Sequence, residues 1–499
     1  MRILLSALLG FCLASPANAA AKWWNDAVFY EIFTRSFQDS NGDGIGDLNG
    51  ITSRLDYLNS LGINGIWLTP IFKSPSYHGY DTVDYKSIQP DFGNPDDFKE
   101  LIRQAHQRGI KVILDMAFNH TSPQHPWFTS QPDYYCWRSE DPHWPGKSHW
   151  FPLNGQYYYG FFGPKMPDLN WNTPAVMAEV KGTLHYWADL GVDGFRLDAV
   201  RYYVEGPQGE SDTPGTHNVL REFIQDLKAS YPDVLFVGEV WADPQIVSTY
   251  VNNGQELDLA FDFPVSFGLV SSLQSGQASA LALALQNTRK RVTDPARLAP
   301  IVTNHDMVRV ASQVGPSLPK LKLAATVLLT LPGTPFIYYG EEIGLPDSSA
   351  KSDLGKRTPM QWTASPNHGF TSDTSKPWLD FSSSDPQISV SAQLGVKGTL
   401  LHYYQRLIQL RQNEPSLRRG DLQMISTSDP GLLAYARQFQ GKTTVTVMNF
   451  GSNPVYGIAL NIPAQALTVL WGEIQPTIQD GTLRIPQIAA QSSAIIRTN

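Results

Sequence analysis

Cysteine is almost absent from this chain: 499 residues carry only Cys12 and Cys136. Cys12 lies in an N-terminal stretch that reads as an export leader, so the cleaved product keeps one thiol and an intramolecular disulfide is excluded. Charge is sparse as well, at 17% of residues, and 38 basic against 46 acidic side chains leave a net −8. With no basic cluster, nucleic acid and membrane surfaces are excluded as partners. No segment of about twenty residues is apolar enough to span a bilayer. Internal repeats and low-complexity linkers are missing too. The evenly spread 42% hydrophobic content excludes a disordered chain and a long coiled coil.

At the N-terminus, Arg2, the apolar run 3–13 and Ala17-Asn18-Ala19 compose a secretory signal over residues 1–19. Cleavage near Ala19 makes the product secreted or periplasmic; an uncleaved anchor is the alternative. Phe11 before Cys12 argues against a lipoprotein signal. Cys136 stands among Tyr134, Tyr135 and Trp137 with no evident base, so it reads as a packed thiol rather than a nucleophile.

Short apolar, β-branched runs recur at 28–33, 65–69, 112–116, 194–198, 235–240, 259–263, 301–303 and 336–339. Amphipathic patterns lie between them; in 96–107, Phe98, Leu101, Ile102 and Ala105 form one stripe. Eight strands alternating with helices predict an α/β fold, a (β/α)8 TIM barrel, with a doubly wound sheet as the competitor. After the third strand about fifty residues rich in Trp, Tyr, Phe, His and Pro, Trp144 among them, precede the helical pattern at 175–190, too many for a loop. They predict a small inserted domain at 121–172 or a disordered lid, and the aromatic density favours the domain. From 420 onward the pattern alternates by two, as in Thr443-Thr444-Val445-Thr446-Val447, and predicts a C-terminal antiparallel β-sandwich at 420–499. The barrel then comprises 20–120 and 173–419. Tyr435, Tyr456 and Trp471 read as sandwich core rather than as a separate starch-binding surface.

Barrel chemistry sits at the carboxyl ends of the strands. There the sequence places Asp115 to His120, Arg196 and Asp198, Glu239 with Trp241, and Asn304-His305-Asp306. Charges inside apolar strands are costly unless paired, and this convergence suits glycoside hydrolysis. A retaining glycosidase needs a carboxylate nucleophile and a carboxyl acid/base about 5–5.5 Å apart, which adjacent strand ends can supply. Arg196 would favour ionised Asp198, while Val240 and Trp241, by excluding water, would raise Glu239 into the range of an acid near neutral pH. Asp306 would hold substrate hydroxyls.

These segments resemble the α-amylase family, glycoside hydrolase family 13, over essentially the whole cleaved chain: Asp115-Met116-Ala117-Phe118-Asn119-His120, Gly194-Phe195-Arg196-Leu197-Asp198, Gly238-Glu239-Val240-Trp241 and Asn304-His305-Asp306, in the family's order. The resemblance implies Asp198 as nucleophile, Glu239 as acid/base and Asp306 as third carboxylate. It also implies sugar contacts for His120, Arg196 and His305, and matches Tyr80 and Asp81 to the family's stacking tyrosine and neighbouring acid. Arg201, Tyr202, Trp241 and Arg309 are further candidate substrate contacts, although Arg201-Tyr202 departs from the Lys-His pair of many amylases. Met166-Pro167-Asp168-Leu169-Asn170 and Arg357 with Pro359-Met360-Gln361-Trp362 resemble the group intermediate between oligo-1,6-glucosidases and neopullulanases. Val200 points toward α-1,4 bonds.

The run Asp39-Ser40-Asn41-Gly42-Asp43-Gly44-Ile45-Gly46-Asp47 presents oxygen ligands at alternating positions, as calcium loops do. Gly50 stands where an EF-hand would need its closing Glu, so the loop is of another kind; a solvated turn is the alternative. Relatives imply Asp39, Asn41, Asp43, the Ile45 carbonyl and Asp47 as ligands of a structural Ca2+, and the Asn matching Asn119 holds another calcium in many α-amylases. The expected function is a secreted, monomeric α-amylase hydrolysing internal α-1,4 bonds of starch and maltodextrins with retention. An α-glucosidase, a neopullulanase-like hydrolase or a transglycosylase would use the same machinery, and a non-catalytic carbohydrate-binding relative is the reading from another class. The first strand follows the leader closely, which argues against the extra N-terminal domain of dimeric neopullulanases.

Overall fold

Runs of side chains buried on both faces become the parallel strands of one closed sheet, the pattern such strands require. They are β1 (Phe29–Ile32), β2 (Gly65–Leu68), β3 (Lys111–Met116), β4 (Gly194–Leu197), β5 (Leu235–Gly238), β6 (Leu259–Phe261), β7 (Leu298–Ala299) and β8 (Phe336–Tyr338). The computed structural model describes residues 22–140, 149–205 and 209–498; the expected leader at 1–19 and Trp144 lie outside them. The strands pair in the order β7-β6-β5-β4-β3-β2-β1-β8, and a parallel bridge between Ile301 and Phe336 joins the two ends. The barrel is thus the (β/α)8 fold expected.

Its interior is filled. Phe29 stacks on Phe336 at 4.4 Å and Trp67 on Phe261 at 5.4 Å, with Ile113, Leu235, Val237 and Leu259 around them. The seventh strand departs from the expected 301–303. It lies earlier, at Leu298–Ala299, because Pro300 has no N–H to continue the ladder, and pairing resumes as a single bridge at Ile301. The helix Pro95–Gln107 buries all four residues of its predicted stripe, and the Asn94 side chain accepts the N–H groups of Asp96 and Asp97 at its start.

The segment after β3 carries the helix Pro126–Ser130 and a three-stranded antiparallel sheet, Trp137–Arg138, Gln156–Tyr159 and Trp150–Leu153. Phe128 packs on Tyr135, Trp137 and Tyr158 at 5.0–5.4 Å, which explains the aromatic density. The antiparallel bridge His120–Asp168 and the Leu169 N–H, which donates to the Asn119 carbonyl at 2.8 Å, tie this segment to the end of β3, and the bridge Tyr135–Leu169 closes it on itself. Cys136 is half-buried inside it, and burial pushes its thiol up to about 12, so it is protonated and inert at neutral pH.

Beyond the helix Pro415–Arg419 two antiparallel sheets of five and three strands face each other across Ile425, Val445, Val447, Ile458, Leu460, Leu483 and Ile485. Tyr435 is buried and its hydroxyl meets that of Thr330 at 2.5 Å, joining sandwich to barrel. Tyr456 departs from the expected core position and is 68% exposed. Alternation would place it with Ile458, Leu460 and Ile462, but Gly457 at φ +63° breaks the pleat and turns the ring outward. Among the described residues no helix is long and apolar enough to cross a membrane.

Candidate active site

Strand register builds the site. Asp115 on β3 and Val237 on β5 both align with Arg196 on β4, and Leu197 aligns with Met116 and Gly238. Asp198 and Glu239, one residue further along β4 and β5, therefore leave the barrel at the same level on neighbouring strands, whose spacing is about 4.8 Å. The Glu239 N–H donates to the Leu197 carbonyl at 3.0 Å and continues the ladder to that point.

A single guanidinium organises the acids. Arg196 is fully buried; its Nη1 donates to Asp115 Oδ1 at 2.7 Å and to Asp198 Oδ1 at 2.6 Å, and its Nη2 donates to Glu239 Oε2 at 2.9 Å. Burial lifts the Asp198 carboxyl above its ordinary value, and Arg196 opposes that lift rather than overcoming it as the sequence suggested. Burial pushes Glu239 up to about 7, again against Arg196 and with help from Asp198 and Asp306. Val240 is buried while Trp241 stays 39% exposed, so shielding comes from the barrel wall more than from that ring. Ala199, at φ +49°, also donates its N–H to Glu239 Oε2, at 3.1 Å.

Asp306 faces the same space from beyond β7. Arg357 Nη2 donates to its Oδ1 at 2.7 Å and His305 Nε2 stands 3.0 Å from its Oδ2. Burial alone would raise this carboxyl, but His305 and Arg357 hold it well below the usual carboxylate range. The Tyr80 hydroxyl donates to Asp115 Oδ2 at 2.9 Å and meets His305 Nε2 at 2.7 Å. His120 is buried and pushed down to about 3, hence neutral.

These groups border a cleft of about 510 Å³ lined by His78, Tyr80, His120, Phe162, Met166, Asp198, Ala199, Arg201, Tyr202, Glu239, Trp241, Asp306, Asp353 and Arg357. Its size suits one or a few sugar rings. Eight of the expected catalytic and substrate residues thus line this cleft: Asp198, Glu239, Asp306, Tyr80, His120, Arg201, Tyr202 and Trp241. Tyr202 stacks on Phe161 at 4.1 Å and Trp241 on Phe263 at 4.4 Å. Arg201 is committed to the protein, donating to Asp212 at 2.6 Å and to the Trp241 carbonyl at 2.7 Å.

Four expected contacts lie elsewhere. Arg196 and His305 are fully enclosed behind the carboxylates and act through them. Asp81 is buried, accepts the hydroxyls of Ser74 at 2.6 Å and of Ser76, and holds its loop. Arg309 turns into the barrel wall, donating to the Tyr339 carbonyl at 2.6 Å and lying over the Tyr338 ring. Arg357, which the sequence marked only as a sign of the branch, stands at the cleft against Asp306 instead. Val200 is buried outside the cleft, so any influence on bond preference passes through packing. Phe162, Met166 and His78 come from irregular segments and Asp353 from the 3-10 turn Ser352–Lys356, and none of the four was anticipated.

Two places carry oxygens suited to a hard cation. In the 39–47 loop, Asp39 accepts the N–H groups of Asn41, Gly42 and Gly44, Asn41 that of Asp43, Asp43 that of Ile45, and Asp47 those of Ser40 and Gly50. Asp39 and Asp47 are buried, and no described ion pair balances Asp39, Asp43 or Asp47. Burial raises the Asp47 carboxyl, and Asp39 adds to it. Between insertion and barrel, Asn119 Oδ1, Asp168 Oδ2 and Glu205 Oε1 are buried without a hydrogen-bond partner. Burial and the neighbouring Glu205 push Asp168 well up, and burial takes Glu205 to about 7. Among the described residues no three His, Cys, Asp or Glu side chains gather as a cage, so an ion at either place would need amide and backbone oxygens as well.

A model of the alpha-amylase catalytic domain matches residues 31–420. An enzyme named alpha-amylase 3, from Dictyoglomus thermophilum, is 38% identical, covering 86% of this chain and 85% of its own. An oligo-1,6-glucosidase from Parageobacillus thermoglucosidasius is 32% identical over 87% and 92%. The solved structure of an alpha-amylase from H. orenii superposes with a TM-score of 0.82 at 34% identity, covering 95% of this chain and 99% of that one.

Proposed function

The chain belongs to the α-amylase family of glycoside hydrolases, and from that premise we propose that it is an exported α-amylase cutting internal α-1,4 bonds of starch and maltodextrins with retention. The observation that carries the reading is the shared Arg196 clamp, which sets Asp198 and Glu239 side by side while burial holds Glu239 near 7. In this reading Asp198 attacks the anomeric carbon as the glycosidic bond breaks, and Glu239 gives its proton to the departing oxygen. The resulting glycosyl ester on Asp198 is then displaced by water, whose proton returns to Glu239. Two inversions give the α-anomer. Asp306, ionised and fixed by Arg357 and His305, holds ring hydroxyls, and the Tyr80 ring forms the floor against which the sugar stacks.

Calcium is the proposed structural ion. The uncompensated charge of Asp39, Asp43 and Asp47 fits the loop site, with Asn41 and the Ile45 carbonyl completing it, and the orphaned oxygens of Asn119, Asp168 and Glu205 fit another. Bound there, the ion would neutralise buried carboxylates and brace the insertion against the barrel; it takes no part in the hydrolysis. The protein is proposed to act as a monomer outside the cytoplasm, in keeping with the leader at 1–19.

Relatives named alpha-amylase and oligo-1,6-glucosidase divide the finer assignment, and a product time course tests it. Soluble starch should lose iodine colour rapidly and yield mixed maltodextrins. Glucose released alone, with little loss of colour, would replace this reading by an exo-acting α-glucosidase on the same barrel.

A further inference from the structure

We propose that Glu31, on barrel strand β1, is a positioning residue that keeps both ring nitrogens of His305 protonated and thereby holds Asp306 aimed and ionised. This rests on the glycosidase reading for its consequence in turnover but not for its geometry. Glu31 is 1% exposed, and among the described residues its only ion pair is with His305. His305 Nδ1 stands 2.5 Å from Glu31 Oε1, and the His305 backbone N–H is directed at the same oxygen at 3.3 Å. On the other side Nε2 meets Asp306 Oδ2 at 3.0 Å and the Tyr80 hydroxyl at 2.7 Å.

A neutral imidazole has one N–H and one bare nitrogen. With a carboxylate on each side, either neutral tautomer would press a lone pair against a carboxylate oxygen. The imidazolium donates to both. The groups facing the ring agree with this. Glu31 comes from β1, the Trp67 ring edge from β2 at 5.6 Å, Tyr80 from the following loop, Asp115 from β3, and Asp306 from the segment after β7. Among the cations, Arg357 reaches only the His305 carbonyl, at 3.1 Å, and Arg196 lies beyond Tyr80 and Asp115. Burial works against a charged ring, yet Asp306 and Glu31 together raise it to about 10.

Glu31 lies outside the cleft lining and touches no substrate position. Its effect passes through His305 to Asp306. An amide at this position would keep the shape and a hydrogen bond but remove the balancing charge. The ring could then become neutral, with Nδ1 accepting from the amide and Nε2–H still donating to Asp306, and Asp306 would lose the adjacent positive charge as pH rises.

The test is an NMR titration of protein labelled with 15N-histidine, with the His305 signals assigned through His305→Gln. In the unaltered protein both ring nitrogens should stay protonated up to about pH 9, and in Glu31→Gln the ring should titrate at least about two pH units lower. Glu31→Asp, which keeps the charge, should restore most of the difference. The same titration in Glu31→Gln as in the unaltered protein would overturn the inference, as would a neutral His305 ring at pH 8 in the unaltered protein, which needs no variant to fold. On maltodextrin, the alkaline fall of kcat/KM should steepen in Glu31→Gln from the loss of one proton toward the loss of two; an unchanged slope counts against it. If the unaltered enzyme hydrolyses no α-glucan, the glycosidase reading fails while the NMR arms still decide the role of Glu31.

Discussion

Ala199 donates its backbone N–H to Glu239 at 3.1 Å while sitting next to Asp198 in the chain. The residue that follows one carboxylate therefore holds the other. It does so in a left-handed conformation, φ +49°, that side chains avoid and β-branched ones avoid most. Ala199→Gly should fold and retain activity. Ala199→Val should lose about 1–2 kcal/mol of stability and show a clear fall in kcat, because the N–H can no longer reach Glu239. Equal kcat in the two variants would show that this hydrogen bond has no part in setting the acid.

Removing the nucleophile tests the other half of the pair. Asp198→Asn keeps the size and a partner for Arg196 but cannot form the ester. Turnover should fall by roughly four orders of magnitude or more, while binding of maltodextrin, measured calorimetrically, persists. Near-normal turnover would remove Asp198 from the role.

The pH profile has a defined sign. Glu239 must carry its proton to protonate the departing oxygen, and its folded value of about 7 lies above that of an exposed carboxyl. The kcat/KM of the hydrolysis should therefore decline as pH rises through about 7. Because the folded state holds this proton more tightly than the unfolded chain, the group contributes stability at low pH and loses it as pH rises through the folded value. An alkaline limb set several units higher would contradict the burial argument.

Product stereochemistry follows from the same pair. NMR recorded within the first minutes of maltodextrin hydrolysis should show the α-anomer, before mutarotation mixes it. A β-anomeric product would exclude the ester on Asp198.

Chelation addresses the buried oxygens. EDTA should lower the melting temperature by a few degrees or more, and added calcium should restore it. Asp39→Asn should diminish the loop's share of that response and Glu205→Gln the share of the Asn119–Asp168 cluster. A melt unaffected by chelator in the unaltered protein would show that neither place holds an ion.

The barrel and its acids were legible because both obey short-range rules. Strands buried on both faces read as apolar runs, and Asp198 and Glu239 stand one step past such runs, with Asp306 a short stretch beyond β7. What escaped was set by longer-range geometry. Pro300 displaced β7 by removing one donor, and Gly457 turned Tyr456 outward by reversing one φ. Arg309 and Asp81 lie beside the right segments in the chain, yet contacts to backbone carbonyls and to serine hydroxyls draw them away from the cleft. Arg357 reaches Asp306 from a stretch of irregular backbone, so no periodicity could place it. Glu31 is the one charged residue within the apolar run 28–33, and only the approach of His305 from beyond β7 gives it an ion-pair partner among the described residues.

The bridge that fastens the insertion at His120 divides the enzyme's labour. Phe162 and Met166, which close one side of the cleft, belong to that appended piece, whereas Asp198 and Glu239 follow strands locked by register and by Arg196. Altered residues around 160–166 can thus reshape which oligosaccharides enter while the bond-breaking groups keep their places. On this architecture, appetite and chemistry can evolve separately.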